Sequence, residues 1–185
     1  MSHDESFFLQ CLFNIKKVGA VAPSSKSLAR KMIKQARVED ARFIAEFGAG
    51  TGSITRQILA AMHPQAQLLV FEPHTPFYKK LEQIHDDRIH LFQAPAQELS
   101  HHLAKKGFPN LDCVFSGIPL TNLSKKIQQE IIGAAYSELK AQGRFVQFQY
   151  SLLSRKHIKN IFGNVTTSFV PWNLPPAAVY TSIKN

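Results

Sequence analysis

From residue 41 onwards, short apolar runs alternate with helix-like segments, and this alternation limits the fold more than any other feature. Five runs rich in β-branched and aromatic residues are each followed by a segment with helical character. The runs are ARFIAEF, QLLVFE, RIHLFQ, LDCVFSG and GRFVQFQY, and the predicted helices span 53–62, 75–85, 96–106, 125–140 and 154–162. Such alternation favours right-handed βαβ units and a parallel sheet covered by helices on both faces.

The C-terminal tail departs from this alternation. The runs NVTTSFV and AAVYTSI are joined by PWNLPP, which leaves no room for a helix, so they predict an antiparallel hairpin at one edge of the sheet. We therefore predict an α/β domain over 41–185 with a single Rossmann-like, seven-stranded, mostly parallel sheet. Residues 1–40 are predicted to add two helices, 5–17 and 25–35, that cover the membrane or substrate side.

An acid and three glycines close the first apolar run in the segment EFGAGTG, residues 46–52. Gly48, Gly50 and Gly52 let the chain turn sharply and let a ligand approach the backbone. The next helix presents its first N–H groups to negative charge, and no Gly-Lys-Ser/Thr follows, so the segment is not a P-loop. Because ligands of open α/β sheets bind where the strand order reverses, this segment predicts a nucleotide-like ligand.

A second acid, Glu72, ends the second run and lies 20 residues after Gly52. An acid in this position can accept hydrogen bonds from both ribose hydroxyls, which NAD and S-adenosylmethionine share. Three observations favour the methyl donor. Glu46 suits an ammonium and sulfonium ligand better than a pyrophosphate, five βα units with a hairpin match a methyltransferase sheet, and no residues remain for a separate substrate domain.

Net charge is +9 and is concentrated at the two ends of the chain. Residues 1–37 sum to +5, residues 38–138 to −2 and residues 139–185 to +6. Basic ends of this kind predict an anionic partner, either a nucleic acid or a lipid surface. Cys11 and Cys113 lack metal-type spacing and the histidines are scattered, so no metal site is predicted. With no signal peptide and no membrane-spanning run, the chain is predicted to be cytoplasmic.

The chain resembles class I S-adenosylmethionine-dependent methyltransferases and, more narrowly, the bacterial phospholipid N-methyltransferases, which are relatives of the rRNA adenine dimethylases. The segments VGAVAPSSKSLARKM, EFGAGTGSIT, FEP, SGIPLTN and NLPPAAVY carry the resemblance, which covers nearly the whole chain. The resemblance implies that the glycine segment lines the methionine end of the donor and that the second-strand acid holds the ribose. The donor-binding residues that it implies are Ser24, Ser25, Glu46, Gly48, Ala49, Gly50, Gly52, Glu72, Pro73 and Ala94.

The segment SGIPL follows the fourth run, where related amino-methyltransferases carry an Asn or Asp, a proline and an aromatic residue. Methyl transfer needs a neutral amine whose lone pair is aligned with the donor, so hydrogen-bond acceptors near the methyl group would orient the amine. The candidate catalytic residues are Ser116, Gly117, Ile118 and Asn122. An ordinary strand-end turn is the alternative, since Gly117 and Pro119 both punctuate structure.

Three further features bear on the substrate. Leu120 replaces the aromatic residue on which a flipped base would stack, which favours an aliphatic amine over a nucleobase. The third run ends without the acid that contacts adenine in relatives, and Gln93 or Gln97 is the candidate substitute. The rings that could face a methylated ammonium group through their π faces are those of Tyr150, Trp172 and Tyr180, with a place in the core as the alternative.

Helix 5–17 has a broad apolar arc and a Lys pair, which fits a helix that lies in a membrane interface or is packed on the protein's own core or on a partner. A basic stripe of Lys26, Arg30, Lys34 and Arg37 and a cluster of Arg155, Lys156 and Lys159 would attract anionic lipids or RNA, with a solvated basic face as the alternative for the stripe. We therefore predict methylation of phosphatidylethanolamine or its partly methylated derivatives by a protein bound peripherally to the inner membrane. An RNA adenine N6 or protein amino-methyltransferase, and a non-catalytic S-adenosylmethionine-binding module, remain the alternatives.

Overall fold

A computed structural model describes residues 26–173 and 175–185. Segment 1–25, with the predicted helix 5–17, Cys11, Ser24 and Ser25, lies outside the described residues. The strands are β1 (Phe43–Phe47), β2 (Gln67–Phe71), β3 (Ile89–Phe92), β4 (Leu111–Ser116), β5 (Leu139–Gln149), β6 (Thr166–Val170) and β7 (Ala177–Ile183). The helices are α1 (Lys26–Ala36), α2 (Ser53–Ala61), α3 (Thr75–Leu81), α4 (Leu99–Lys106), α5 (Lys125–Glu138) and α6 (Arg155–Phe162).

The seven strands form one sheet in the order β3-β2-β1-β4-β5-β7-β6. Strands β1 to β5 are parallel, and β7 runs antiparallel to both β5 and β6. The predicted sheet and C-terminal hairpin are therefore confirmed. The strand order reverses between β1 and β4, so the carboxyl ends of these two strands flank the crevice in which open α/β sheets bind ligands.

Helices cover both faces of the sheet, as predicted. On one face, α1 and α2 bury Leu28, Met32 and Ile58 against the sheet. On the other face, α4, α5 and α6 bury a second set of apolar side chains that includes Leu103 and Ile158. Since α1 belongs to the predicted N-terminal segment, the described part of that segment packs into the same core as the strands.

Three predicted helices differ from those observed. Helix 96–106 begins with a short 3-10 turn (Ala96–Glu98), and helix 125–140 ends at Glu138 because the fully buried Leu139 begins β5. Helix 75–85 ends at Leu81, and the Arg88 guanidinium then pairs with the Asp86 carboxylate at 2.7 Å in the turn before β3. No helix in the described part of the chain is both long enough and apolar enough to cross a membrane.

Candidate active site

The three segments predicted to form the site meet at the carboxyl edge of the sheet. The Gly48 N–H donates to the Phe71 carbonyl at 2.9 Å and thereby joins the glycine segment to the end of β2. The Gly117 N–H donates to the Phe47 carbonyl at 2.8 Å and joins the segment after β4 to the end of β1. Because these bonds continue the sheet past the strand ends, the backbone of all three segments is fixed around the point where the strand order reverses.

The Glu72 carboxylate is buried and already holds two backbone groups. One oxygen accepts from the Gly50 N–H at 2.8 Å and the other accepts from the His74 N–H at 3.0 Å. Burial raises the pKa of Glu72, and these two hydrogen bonds offset part of the increase. A carboxylate has about four acceptor positions, so Glu72 can accept two further hydrogens, as a ribose diol would require.

Glu46 is the second acid of the site and is almost completely buried. Burial raises its pKa to about 7, the Thr55 hydroxyl and N–H lower it, and the nearby charge of Glu72 raises it. The Thr55 contact is a loose one, because neither Glu46 Oε2 nor Thr55 Oγ1 has a well-aligned hydrogen-bond partner among the residues described. A buried carboxylate oxygen left in this state suits a cationic ligand group, which would favour its charged form.

The three glycines do different things, although Gly48, Gly50 and Gly52 all have φ between +58° and +78°. A Cβ atom on Gly48 would lie 2.9 Å from Ile118 Cγ1, and one on Gly52 would lie 2.9 Å from Arg56 Nη1. These two positions therefore permit close packing. Around Gly50 no described atom lies within 4 Å of an added Cβ, so this is where a ligand can approach the backbone next to Glu72.

In the segment after β4, the Ile118 carbonyl is the most heavily bonded acceptor. It accepts from the Leu120 N–H at 2.8 Å and from the Nε2 groups of Gln147 and Gln149, both at 2.9 Å. These bonds occupy its lone pairs and fix the turn. The Ser116 side chain is fully buried and its hydroxyl accepts weakly from the Ile118 N–H at 3.4 Å, so the carbonyl of half-buried Gly117 is left as the acceptor of this turn for a substrate.

Sequence reasoning missed Gln147 and Gln149. Both side chains are buried and lie on the same face of β5, and Gln147 is directly paired with Ser116 of β4. The Oε1 atom of Gln147 has no hydrogen-bond partner among the described residues. A usable signal was present, because the alternation Gln-Phe-Gln places two amides on one face of a central parallel strand, where both faces are expected to be apolar.

The other predicted site residues that the structure describes follow the carboxyl ends of β1 to β4. Ala49 and Pro73 are half-buried, and Ala94 is buried just after β3. Asn122 is half-buried in the 3-10 turn Leu120–Asn122, where its N–H donates to the Pro119 carbonyl at 3.0 Å. Leu120 is fully buried, so it offers no surface on which a base could stack.

The residues predicted to contact adenine or a methylated ammonium group differ in their exposure. Gln93 is exposed and donates through Nε2 to the Thr75 hydroxyl at 2.7 Å, while Gln97 is exposed in the turn before α4. Tyr180 is fully buried and its hydroxyl donates to the Ser151 carbonyl at 2.9 Å, so its ring belongs to the core and not to a ligand surface. Tyr150 and Trp172 are both exposed.

Comparison with known proteins gives one close sequence relationship and a common fold. No protein-family model matches the chain. An ornithine lipid N-methyltransferase of Singulisphaera acidiphila is 30% identical over 166 residues, which represent 88% of this chain and 86% of that protein.

Solved structures share this fold over most of the chain. Precorrin-6y C5,15-methyltransferase of Geobacter metallireducens superposes with a TM-score of 0.68 at 19% identity, over 86% of this chain and 89% of that chain. The N-methyltransferase NodS of Bradyrhizobium japonicum, in complex with S-adenosyl-L-homocysteine, gives a TM-score of 0.65 at 11% identity, over 86% and 88% of the two chains. At these identities the structural likeness shows the fold alone.

Proposed function

Because the chain belongs to the class I S-adenosylmethionine-dependent methyltransferases, in the family of the ornithine lipid N-methyltransferase, we propose that it methylates the head-group amine of a membrane lipid. The sequence relationship to a lipid N-methyltransferase over 88% of the chain carries the lipid assignment. Phosphatidylethanolamine and its partly methylated derivatives are the first acceptors that we propose. The amine of an ornithine lipid, suggested by the name of the relative, is the second.

On the donor side, Glu72 binds the ribose hydroxyls through the acceptor positions that Gly50 and His74 leave open. Glu46 faces the cationic methionine end, where its ionised form is stabilised on binding, and Gly50 leaves space for the ligand beside the loop. S-adenosylmethionine, when bound, supplies a methyl group on a sulfonium centre. The described residues fit this ligand because a buried carboxylate oxygen without a partner and a side-chain-free approach to the backbone occur side by side.

On the acceptor side, the protein positions a neutral amine. The Gly117 carbonyl, with the buried Ser116 hydroxyl behind it, accepts an N–H hydrogen of a primary or secondary amine, so that the lone pair stays free and points towards the methyl group. Gln147 and Gln149 hold the Ile118 carbonyl and therefore keep this turn in place. Asn122 stands at the far end of the turn as a further polar contact for the head group. After transfer to a primary or secondary amine one proton leaves to solvent, whereas transfer to a tertiary amine gives a quaternary ammonium group and releases none.

The acceptor turn favours an aliphatic amine over a nucleobase. With Leu120 buried in the core, the turn carries no aromatic side chain at the place where enzymes acting on bases stack a flipped base. Methylation of adenine N6 in RNA is therefore the weaker candidate for this site. Methylation of a protein amine needs no stacking and stays the second candidate, while a module that only binds the donor would not need a fixed acceptor turn.

A lipid substrate requires contact with a membrane, and we place the enzyme at the cytoplasmic face of the inner membrane. Lys26, Arg30 and Lys34 are exposed along α1 and Arg37 is exposed directly after it, which supports attraction to anionic lipid head groups.

The most direct cellular test is expression of the full chain in a bacterium that makes phosphatidylethanolamine but none of its methylated derivatives. Mass spectrometry of the extracted lipids should show mono-, di- or trimethylated head groups. A Gly50→Ala variant, expressed to the same level, should leave the lipids unmethylated. The proposal is wrong if the lipids remain unchanged with the active chain while ornithine lipid, supplied to the purified protein, also takes up no methyl group.

A further inference from the structure

We propose that the end of the sheet formed by β5, β7 and β6 carries a docking surface for an anionic lipid membrane. This docking surface consists of the exposed side chains Tyr150, Leu152, Leu153, Phe169 and Trp172, with Lys156 and Lys159 beside them. The inference deepens the proposed function and rests on it, because a lipid head group can reach the acceptor turn only if the protein lies against the bilayer.

The exposed apolar residues are concentrated and not scattered. All of the large hydrophobic side chains that are exposed in the described part of the chain fall between residues 150 and 172. Leu153 is 78% exposed and Trp172 is 89% exposed, so these two side chains make little contact with the residues that the structure describes. On a soluble protein, a group of exposed apolar side chains bordered by charged residues indicates an interaction site.

The topology puts this docking surface at the same edge as the active site. Gln149, the last residue of β5, and Phe169, near the end of β6, both pair with Ala178 at the start of β7. The loops that follow β5 and β6 therefore leave the sheet at the edge where the parallel strands end. The turn after β4 lies at this edge too, directly beside β5. A membrane that meets the docking surface is thus presented to the acceptor side of the enzyme.

Each of the two loops has a hydrogen bond close to its apolar tip. After β5, the Ser151 carbonyl accepts from the Tyr180 hydroxyl at 2.9 Å. After β6, the buried Asn173 donates through Nδ2 to the Pro175 carbonyl at 2.7 Å. Leu152, Leu153 and Trp172 are exposed next to these hydrogen bonds, as expected of side chains that insert into a membrane interface.

Charge identifies the partner. Residues 139–185 contain six Lys and Arg and no acid. Arg155, Lys156 and Lys159 are exposed on α6, which begins where the loop carrying Leu152 and Leu153 ends. An apolar tip bordered by cations and free of acids matches the two layers of an anionic bilayer surface, which are a charged head-group layer and an apolar interior. We therefore assign the docking surface to an anionic lipid membrane.

The chain offers an intrinsic probe, because Trp172 is its only tryptophan. With vesicles of phosphatidylcholine and phosphatidylglycerol, the fluorescence of the full chain should shift to shorter wavelength and be quenched by lipids brominated on their acyl chains. Vesicles of phosphatidylcholine alone should give a much smaller change. The inference is overturned if the protein floats with the anionic vesicles while Trp172 emission stays that of a solvated ring. It is overturned equally if Trp172 is shielded from iodide in the free protein, since segment 1–25 or a second copy would then cover the surface.

Two pairs of lysine substitutions distinguish contact at the docking surface from an effect of the protein's net charge. Lys156→Ala with Lys159→Ala should weaken partitioning onto anionic vesicles by about 25-fold, at roughly fivefold for each charge. Lys105→Ala with Lys106→Ala removes the same charge at the end of α4 and should change partitioning about twofold at most. Leu152→Ser with Leu153→Ser should abolish the Trp172 shift, and equal effects of the two lysine pairs would overturn the inference.

Failure of this inference differs from failure of the proposed function. Methylation of a short-chain, water-soluble amine lipid should be unchanged in the Leu152→Ser, Leu153→Ser variant, because its active site is intact. If the wild-type chain binds anionic vesicles through Trp172 and methylates no lipid amine, the docking surface is supported and the proposed substrate is wrong. If it methylates lipid amines while Trp172 stays in water, the proposed substrate is supported and the docking surface is wrong.

Discussion

The Gly50 N–H and the Glu72 carboxylate are joined by a hydrogen bond of 2.8 Å, which makes the glycine loop and the second-strand acid a single unit. The loop is the part of the site that a ligand approaches, and the acid is the part that recognises a diol. Because this hydrogen bond sets the positions of both residues, a change in either one is expected to alter the binding of the donor.

Glu72→Gln should weaken donor binding by about 10- to 100-fold. The change keeps the size of the side chain but removes the charge and one acceptor oxygen, and hydrogen bonds to charged groups contribute roughly 1.5–3 kcal/mol. Isothermal titration calorimetry with S-adenosyl-L-homocysteine measures the effect. Glu82→Gln, an exposed change of the same chemistry at the end of α3, is the control and should bind as the wild type does. Equal affinity of the two variants would contradict the ribose assignment.

Gly50→Ala should abolish donor binding at little cost in stability. Gly50 and Gly107 both have positive φ and both have no described atom within 4 Å of an added Cβ. An alanine at either position therefore costs about 1–2 kcal/mol of backbone strain and meets no steric obstacle in the free protein. Thermal unfolding should show the same loss for both variants, while only Gly50→Ala should lose donor binding. A Gly50→Ala variant that binds the donor normally would place the ligand elsewhere.

Donor affinity should rise with pH through about 7. The folded pKa of Glu46, about 7, lies above its ordinary value of 4.5 because the group is buried. The folded protein without donor therefore binds this proton more tightly than the unfolded chain does. The resulting contribution of Glu46 to stability is fully present below about pH 4.5 and is lost as the pH rises through 7. A cationic donor prefers the ionised form, so below pH 7 its affinity should fall by about tenfold per pH unit.

Calorimetry in buffers of different ionisation enthalpy provides the measurement, because binding near pH 6 should release about one proton per donor from Glu46. Glu46→Gln should bind more weakly at pH 8 and show no proton release. If the wild type and Glu46→Gln have the same pH dependence, Glu46 does not face the cationic end of the donor.

Gln147→Leu should slow methyl transfer by at least about tenfold while leaving donor affinity within about twofold. The change removes a hydrogen bond to the Ile118 carbonyl and so loosens the acceptor turn, without touching Glu46 or Glu72. Initial rates at saturating donor, together with a donor titration, separate the two effects. Gln128→Leu is the matched control, because buried Gln128 donates in the same way to the Leu123 carbonyl at 2.9 Å. Equal losses of rate in both variants would show that Gln147 is merely structural.

The sequence was sufficient for the architecture because the information is local. Each strand is a short apolar run, and Gly48, Gly50 and Gly52 mark a bend that the structure shows with positive φ at all three positions. Helix ends were less predictable. Helix 125–140 continues in the sequence pattern up to Lys140, but pairing of Leu139 with Leu111 of β4 takes that residue into the sheet. That contact joins residues far apart in the chain and leaves no local signal.

The candidate site was predictable where a polar residue interrupts an apolar run, as Glu46 and Glu72 do. The roles of Gln147 and Gln149 were not, because their partner is the Ile118 carbonyl, 29 and 31 residues away. Of the two places that the sequence left open for the ring of Tyr180, a ligand contact or the core, the structure shows the core. Its place in the core depends on β7 lying between β5 and β6, which follows from strand order and not from the residues around it.

Transfer of isotope-labelled methyl groups by the purified full chain tests the central claim most directly. The reaction contains labelled S-adenosylmethionine, vesicles of phosphatidylethanolamine and phosphatidylglycerol, ornithine lipid and total bacterial RNA, and the products are separated by extraction and thin-layer chromatography. We predict that the label enters the organic phase on the amine of one of the two amine lipids. Label found in RNA or protein, with none in either lipid, would contradict the account.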